Sequence, residues 1–89
     1  MRIESKIYAR GAGYEYIEWI GDMAVKYFLV GKVYIEEDGS MKVVAEGEED
    51  DLIKFAHKLK HGHHLHHIDD YYIDWYEARD DFTEFMVIE

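Results

Sequence analysis

Cysteine is absent from this chain, and so are proline, asparagine and glutamine. Without cysteine there is no disulfide framework and no thiolate metal site. Cationic side chains are scarce as well. Ten Lys and Arg stand against twenty Asp and Glu, a formal net charge of −10. A phosphate backbone is held by clustered Lys and Arg, so this balance argues against a nucleic-acid partner. No apolar run approaches the roughly 18–20 residues of a membrane span, and the opening residues do not read as a secretory leader. A cytoplasmic protein with no membrane partner is expected.

What is present suffices for one packed domain spanning residues 1–89. Hydrophobic residues make up 48% of the chain and aromatics 16%, which excludes intrinsic disorder as the default. Turn punctuation falls at Gly11 to Gly13, Gly31, Asp38-Gly39-Ser40, Gly47 and Gly62. Between these marks the period changes. Residues 2–10 alternate, with Ile3, Ser5, Ile7 and Ala9 on one face and Arg2, Glu4, Lys6, Tyr8 and Arg10 on the other, the pattern of a half-buried strand. From Tyr14 to Phe28, Ile17, Ile20, Ala24, Tyr27 and Phe28 recur at helical spacing. Gly21 interrupts that helix at a cost of about 1 kcal/mol relative to Ala.

Residues 31–46 read as a hairpin. Val33 and Ile35 share a face before Asp38-Gly39, and Met41, Val43 and Ala45 share one after it. Gly39 accepts the positive φ that such turns require. A second helix is expected from Glu48 to Lys60, with Leu52, Phe55, Ala56 and Leu59 as its stripe. Acids crowd its first turn and lysines its last, matching the helix dipole. Ile68–Tyr76 and Phe82–Ile88 read as strands. The order β-α-β-β-α-β plus a terminal strand predicts an α+β, ferredoxin-like sandwich: an antiparallel sheet covered by two helices on one face.

These segments resemble a family. The run from Asp38 to Gly47, D-G-S-M-K-V-V-A-E-G, is similar to the second hairpin of the acylphosphatases, whose pattern there is close to D-G-S-x-x-V-x-A-E-G. Gly31-Lys32-Val33-Tyr34-Ile35 resembles the family's G-x-V-x-N segment. Ala9-Arg10-Gly11-Ala12-Gly13-Tyr14-Glu15 stands where the family has its first loop, V-Q-G-V-G-F-R. Lys60 to Leu65 stands near the usual G-P-P, and Phe85 to Ile88 fits the closing F-x-I strand.

The resemblance implies the fold over nearly the whole chain, and a chemistry. Acylphosphatases hydrolyse carboxyl-phosphate anhydrides. Loop amides and one Arg hold the phosphate, and one Asn orients the attacking water. Carried over residue by residue, the Arg position is Glu15 and the Asn position is Ile35. A two-residue slip would put Ile17 at the Arg position instead, so the cation is lost in either register. A carboxylate beside a phosphate is repelled, and Ile35 has no polar atom for water. The expectation is therefore a family domain without catalysis. Two alternatives are kept: residual hydrolysis through Arg10 and the amides of Gly11, Ala12, Gly13 and Tyr14, and a metal-binding module.

The metal alternative rests on His61, His63, His64, His66 and His67, followed by Asp69 and Asp70. Imidazole binds Zn, Ni or Cu, but a loop supplies few of the supporting contacts that hold ligands in place. Adventitious divalent-metal binding, no cofactor and a monomer are expected. His57 reads as a surface residue of the second helix. Protonation of the six histidines near pH 6.5 would offset six of the ten excess negative charges. The acids form no pair that spacing selects, and a solvated acidic face is the expected reading. The missing Pro, Asn, Gln and Cys suit a sequence selected for fold rather than catalysis, of engineered or otherwise constrained origin.

Overall fold

A computed structural model describes residues 1–62 and 68–89. In chain order the elements are β1 (Arg2–Ala9), α1 (Tyr14–Lys26), β2 (Val30–Ile35), β3 (Met41–Glu46), α2 (Glu49–His61), β4 (Ile68–Tyr76) and β5 (Phe85–Ile88). The strands form one sheet in the order β4-β1-β3-β2-β5. The ferredoxin-like α+β class expected from the segment order is the one observed. In one detail the sheet differs: it is mixed, because β5 lies parallel to β2, with Val33 opposite Val87. A terminal strand that crosses the sheet and enters at the far edge has to take that direction.

The core lies between the sheet and the helices. Ile3, Ile7, Val33, Met41, Val43 and Ala45 enter it from the strands, and Ile17, Ile20, Ala24, Leu52, Phe55 and Leu59 from the helices. The alternation of β1 and the stripe of α2 thus place their apolar residues inward, as expected. Gly21 is part of this packing. A Cβ there would overlap the Val87 side chain, so glycine lets α1 approach β5 closely. His57 is exposed, as expected.

Three expectations are corrected. First, α1 stops at Lys26, and Phe28 leaves the stripe entirely, 86% exposed at φ 61°. The amides of Phe28 and Leu29 donate to the carbonyls of Val25 and Ala24, at 3.0 and 2.9 Å. That pattern is a Schellman cap, which requires a left-handed residue at position 28. Second, the last strand begins at Phe85, not Phe82. Residues 77–84 form the long connection from one sheet edge to the other. Third, Arg2 does not sit on a solvated face. It is 6% exposed, because this connection crosses the sheet over it.

There the Arg2 guanidinium contacts Glu46 at 2.8 Å, Glu4 at 3.1 Å and Asp81 at 3.7 Å, and lies 5.7 Å from the Phe82 ring centre. Glu46 also accepts the backbone N–H groups of Arg79 and Asp80, at 3.1 and 3.0 Å. Burial alone would push the Glu46 carboxyl up. The Arg79 N–H, Arg2 and the Asp80 N–H together outweigh it, and the group is held below its ordinary value. Among the described residues no helix is long and apolar enough to cross a membrane.

Candidate active site

The loop after β1 is shaped by glycine. Gly11 adopts φ +77°, and the Ala12 N–H donates to the Ala9 carbonyl at 3.1 Å, closing a tight turn of type II sign. Gly13 then caps α1 in an extended conformation, with no side-chain cap of its own. The Glu15 carboxylate folds back toward it, with Oε2 3.2 Å from where a Gly13 Cβ would stand. A carboxylate in the first turn is favoured by the partial positive charge of a helix N-terminus. It occupies the end of the helix where an anionic ligand would be held.

Two further carboxylates complete this end of the molecule. At the tip of the β2–β3 hairpin, Asp38 accepts from the Ser40 hydroxyl and from the Ser40 N–H at 2.9 Å. The Tyr8 hydroxyl donates to it at 3.2 Å and the Lys6 ammonium lies 3.4 Å away. The Ser40 bonds first, then Tyr8 and Lys6, hold the Asp38 carboxyl well below the usual carboxylate range, so it remains an anion. At the start of β4, Asp69 accepts the Arg10 N–H at 2.9 Å. Arg10, Gly11, Ala12, Asp38 and Asp69 line a hollow of about 390 Å³.

The structure thus gathers three of the five loop candidates, Arg10, Gly11 and Ala12, and leaves Gly13 and Tyr14 outside the hollow. One of the candidate amides, that of Ala12, already has an acceptor in the Ala9 carbonyl, and the backbone N–H of Arg10 is likewise taken by Asp69. Ile35 is half-buried at the end of β2, paired with Met41 and packed against the core, while Ile17 is fully buried. Sequence reasoning named neither Asp38 nor Asp69 as part of this site. Asp38 reads as turn chemistry and Asp69 as an appendage of the histidines, because their meeting depends on β1 lying between β4 and β3. Of the five histidines proposed as ligands, His61 is an exposed residue ending α2, and His63, His64, His66 and His67 lie outside the described residues. Among the described residues no three His, Cys, Asp or Glu side chains are grouped to hold a metal ion. A larger hollow of about 570 Å³, bordered by Phe28, Glu46 and Phe82, lies at the other end of β1, away from every loop candidate.

A ferredoxin-like sandwich with a glycine loop at the start of its first helix defines a recognisable class, and comparison with known proteins fixes which one. The acylphosphatase family model matches residues 7–87. The chain belongs to the acylphosphatase family. Among solved structures it is similar to an acylphosphatase from Bacillus subtilis, with TM-score 0.89 and 22% identity, covering 99% of this chain and 98% of that one. It is also similar to an acylphosphatase from Coxiella burnetii, with TM-score 0.87 and 21% identity, covering 98% of this chain and 90% of that one. A third similarity, with TM-score 0.79 and 24% identity, is to full-length HypF in a phosphate- and nucleotide-bound form; it covers 100% of this chain and 12% of that one. No curated protein matches the chain.

Proposed function

We propose that this acylphosphatase-family domain no longer hydrolyses acyl phosphates and retains the fold as a binding scaffold. The observation that carries the reading is the charge of the loop hollow. Where an acyl phosphate would need fixed donors and an unopposed cation, Asp38 and Asp69 line the wall beside Arg10, and Glu15 stands at the helix start. A phosphoryl group in transfer spreads negative charge over its oxygens, so its stabilisation requires the opposite arrangement. At the positions the family fills with Arg and Asn stand Glu15, or Ile17 in the shifted register, and Ile35. The loss of one such group typically costs about 10²–10³ in rate, and here both are gone with one charge reversed.

Benzoyl phosphate hydrolysis tests it. The chain should turn over no faster than buffer. Glu15→Arg together with Ile35→Asn should raise the rate on the order of 10²-fold if the loop still presents its amides. Turnover by the unaltered chain that Arg10→Ala abolishes would overturn the reading in favour of hydrolysis through Arg10.

A further inference from the structure

We infer that the free edge of β4 is a docking site for an extended segment of a partner protein, in which apolar residues alternate with Lys or Arg. The inference is independent of the loop hollow and does not rest on loss of hydrolysis. The two edges of the sheet are unlike. β5 spans four residues, whereas β4 spans nine. An edge strand of that length presents a row of backbone N–H and C=O groups that can pair with an added strand.

The surroundings of this edge are prepared on both faces. Toward the helices, a hollow of about 470 Å³ opens between β4 and α2, lined by Ile53, Ala56, Tyr71, Ile73 and Trp75 together with His57 and Lys60. Ile53 is 50% and Trp75 40% exposed, which leaves apolar surface uncovered. The Tyr71 hydroxyl donates to the Ala56 carbonyl at 3.3 Å and fixes the floor. Toward the open face of the sheet, β4 presents Asp70, Tyr72, Asp74 and Tyr76, which register with Tyr8, Lys6, Glu4 and Arg2 of β1. Asp70 and Asp74 are exposed and, among the described residues, take no part in an ion pair.

A strand added at this edge places alternate side chains on opposite faces. One set would fall beside Tyr71, Ile73 and Trp75, against the apolar hollow. The other would fall beside Asp70 and Asp74, where opposite charges across a strand pair are favourable and like charges are not. The complement is therefore an alternation of apolar and basic residues. Charge also argues against a second copy of the chain as the occupant. Any two-fold pairing of β4 with itself joins two chains of net charge −10, and the register centred on Tyr72 also sets Asp70 opposite Asp74 of the other copy.

The test uses a labelled peptide of alternating Lys and Val, with a Glu/Val peptide as control, titrated into the full chain and followed by anisotropy and by amide exchange. The Lys/Val peptide should bind saturably, protect the alternate β4 amides that face away from β1, and weaken as salt rises. Asp70→Lys with Asp74→Lys should weaken it about tenfold or more. If that double variant fails to fold, Asp74→Asn, which keeps shape, should still weaken it by a factor of about three. The Glu/Val peptide should not bind. Absence of saturable binding, equal binding to the charge-reversed chain, or protection elsewhere would overturn the inference. Self-association of the unaltered chain through the same amides would overturn it too, by assigning the edge to a second copy.

Discussion

An arginine opens β1 and another directly follows it, and the two have opposite fates. Arg2 is buried beneath the 77–84 connection, with three carboxylates within ion-pair distance and an aromatic ring beside it. Arg10 is exposed, and it is its backbone N–H that a carboxylate holds. Both ends are acidic, but only at the Arg2 end do the acids converge on one buried cation, with Glu46 held besides by two backbone N–H groups. At the loop end Asp38 is satisfied by Ser40, Tyr8 and Lys6, within its own turn and the neighbouring strand. A carboxylate contained in this way supports the fold. It offers nothing to an anionic substrate. The comparison shows that similar acidic surroundings can bury a cation at one end of a strand and leave a solvent-exposed hollow at the other.

The largest expected effect is in stability. Glu46→Ala would leave the Arg2 guanidinium buried and the N–H groups of Arg79 and Asp80 without their acceptor. Breaking a buried pair in this way costs about 3–5 kcal/mol. Arg10→Ala, at an exposed position, should change stability by less than about 0.5 kcal/mol. Urea unfolding of the two variants measures both, and equal losses would break the distinction between the two ends.

The same contrast appears in acid. Glu46 and Glu4 are both held below their ordinary carboxyl values: burial opposes this, but the N–H and Arg2 bonds at Glu46, and Arg2 with Lys42 at Glu4, outweigh it. A depressed folded-state value means stability that is present above the unfolded value near 4.5 and lost as pH falls through the folded one. Thermal unfolding should therefore shift to lower temperature below about pH 4.5. Glu46→Gln should flatten that slope. Asp38→Asn should flatten it less, because solvent screens an exposed carboxylate. The reverse ranking would show that the loop end, not the buried pair, carries the acid sensitivity.

How much of this could be read from the chain alone depends on the distance over which each feature is decided. Ile3, Ile7, Leu52 and Phe55 show their burial by local period, and Asp38-Gly39 shows its turn, because neighbours in sequence settle them. Arg2 has the same alternation as Lys6, yet one is buried and the other is not. A connection some 75 positions later decides it. Asp69 joins the site only because β4 pairs with β1. Gly21 reads as a weakness in α1 until Val87, from the last strand, is found packed against it. Long-range strand order is not written in any one segment. The segment order and the family resemblance give the ferredoxin-like class, and the structure supplies the strand order that brings Asp38 and Asp69 together.

The smallest effect is a matched pair of backbone changes, one near each end of β1. Both positions need a left-handed residue: Gly11 at φ +77° beside Arg10, and Phe28 at φ 61° on the hollow that includes Glu46. The loop end has the residue that tolerates this conformation, and the other end does not. A side chain in that region costs on the order of 1 kcal/mol, and Phe28 is 86% exposed, so its ring recovers little by burial. Phe28→Gly should therefore stabilise the fold by about 1 kcal/mol, reduced somewhat by the greater freedom of glycine in the unfolded chain. Gly11→Ala should destabilise it by a similar amount, since nothing stands within 4 Å of its Cβ and only the backbone strain acts. Opposite signs in urea unfolding would show that the two positions differ in residue and not in geometry. A loss on Phe28→Gly would instead mean that the exposed ring contributes contacts that outweigh the strain of its backbone.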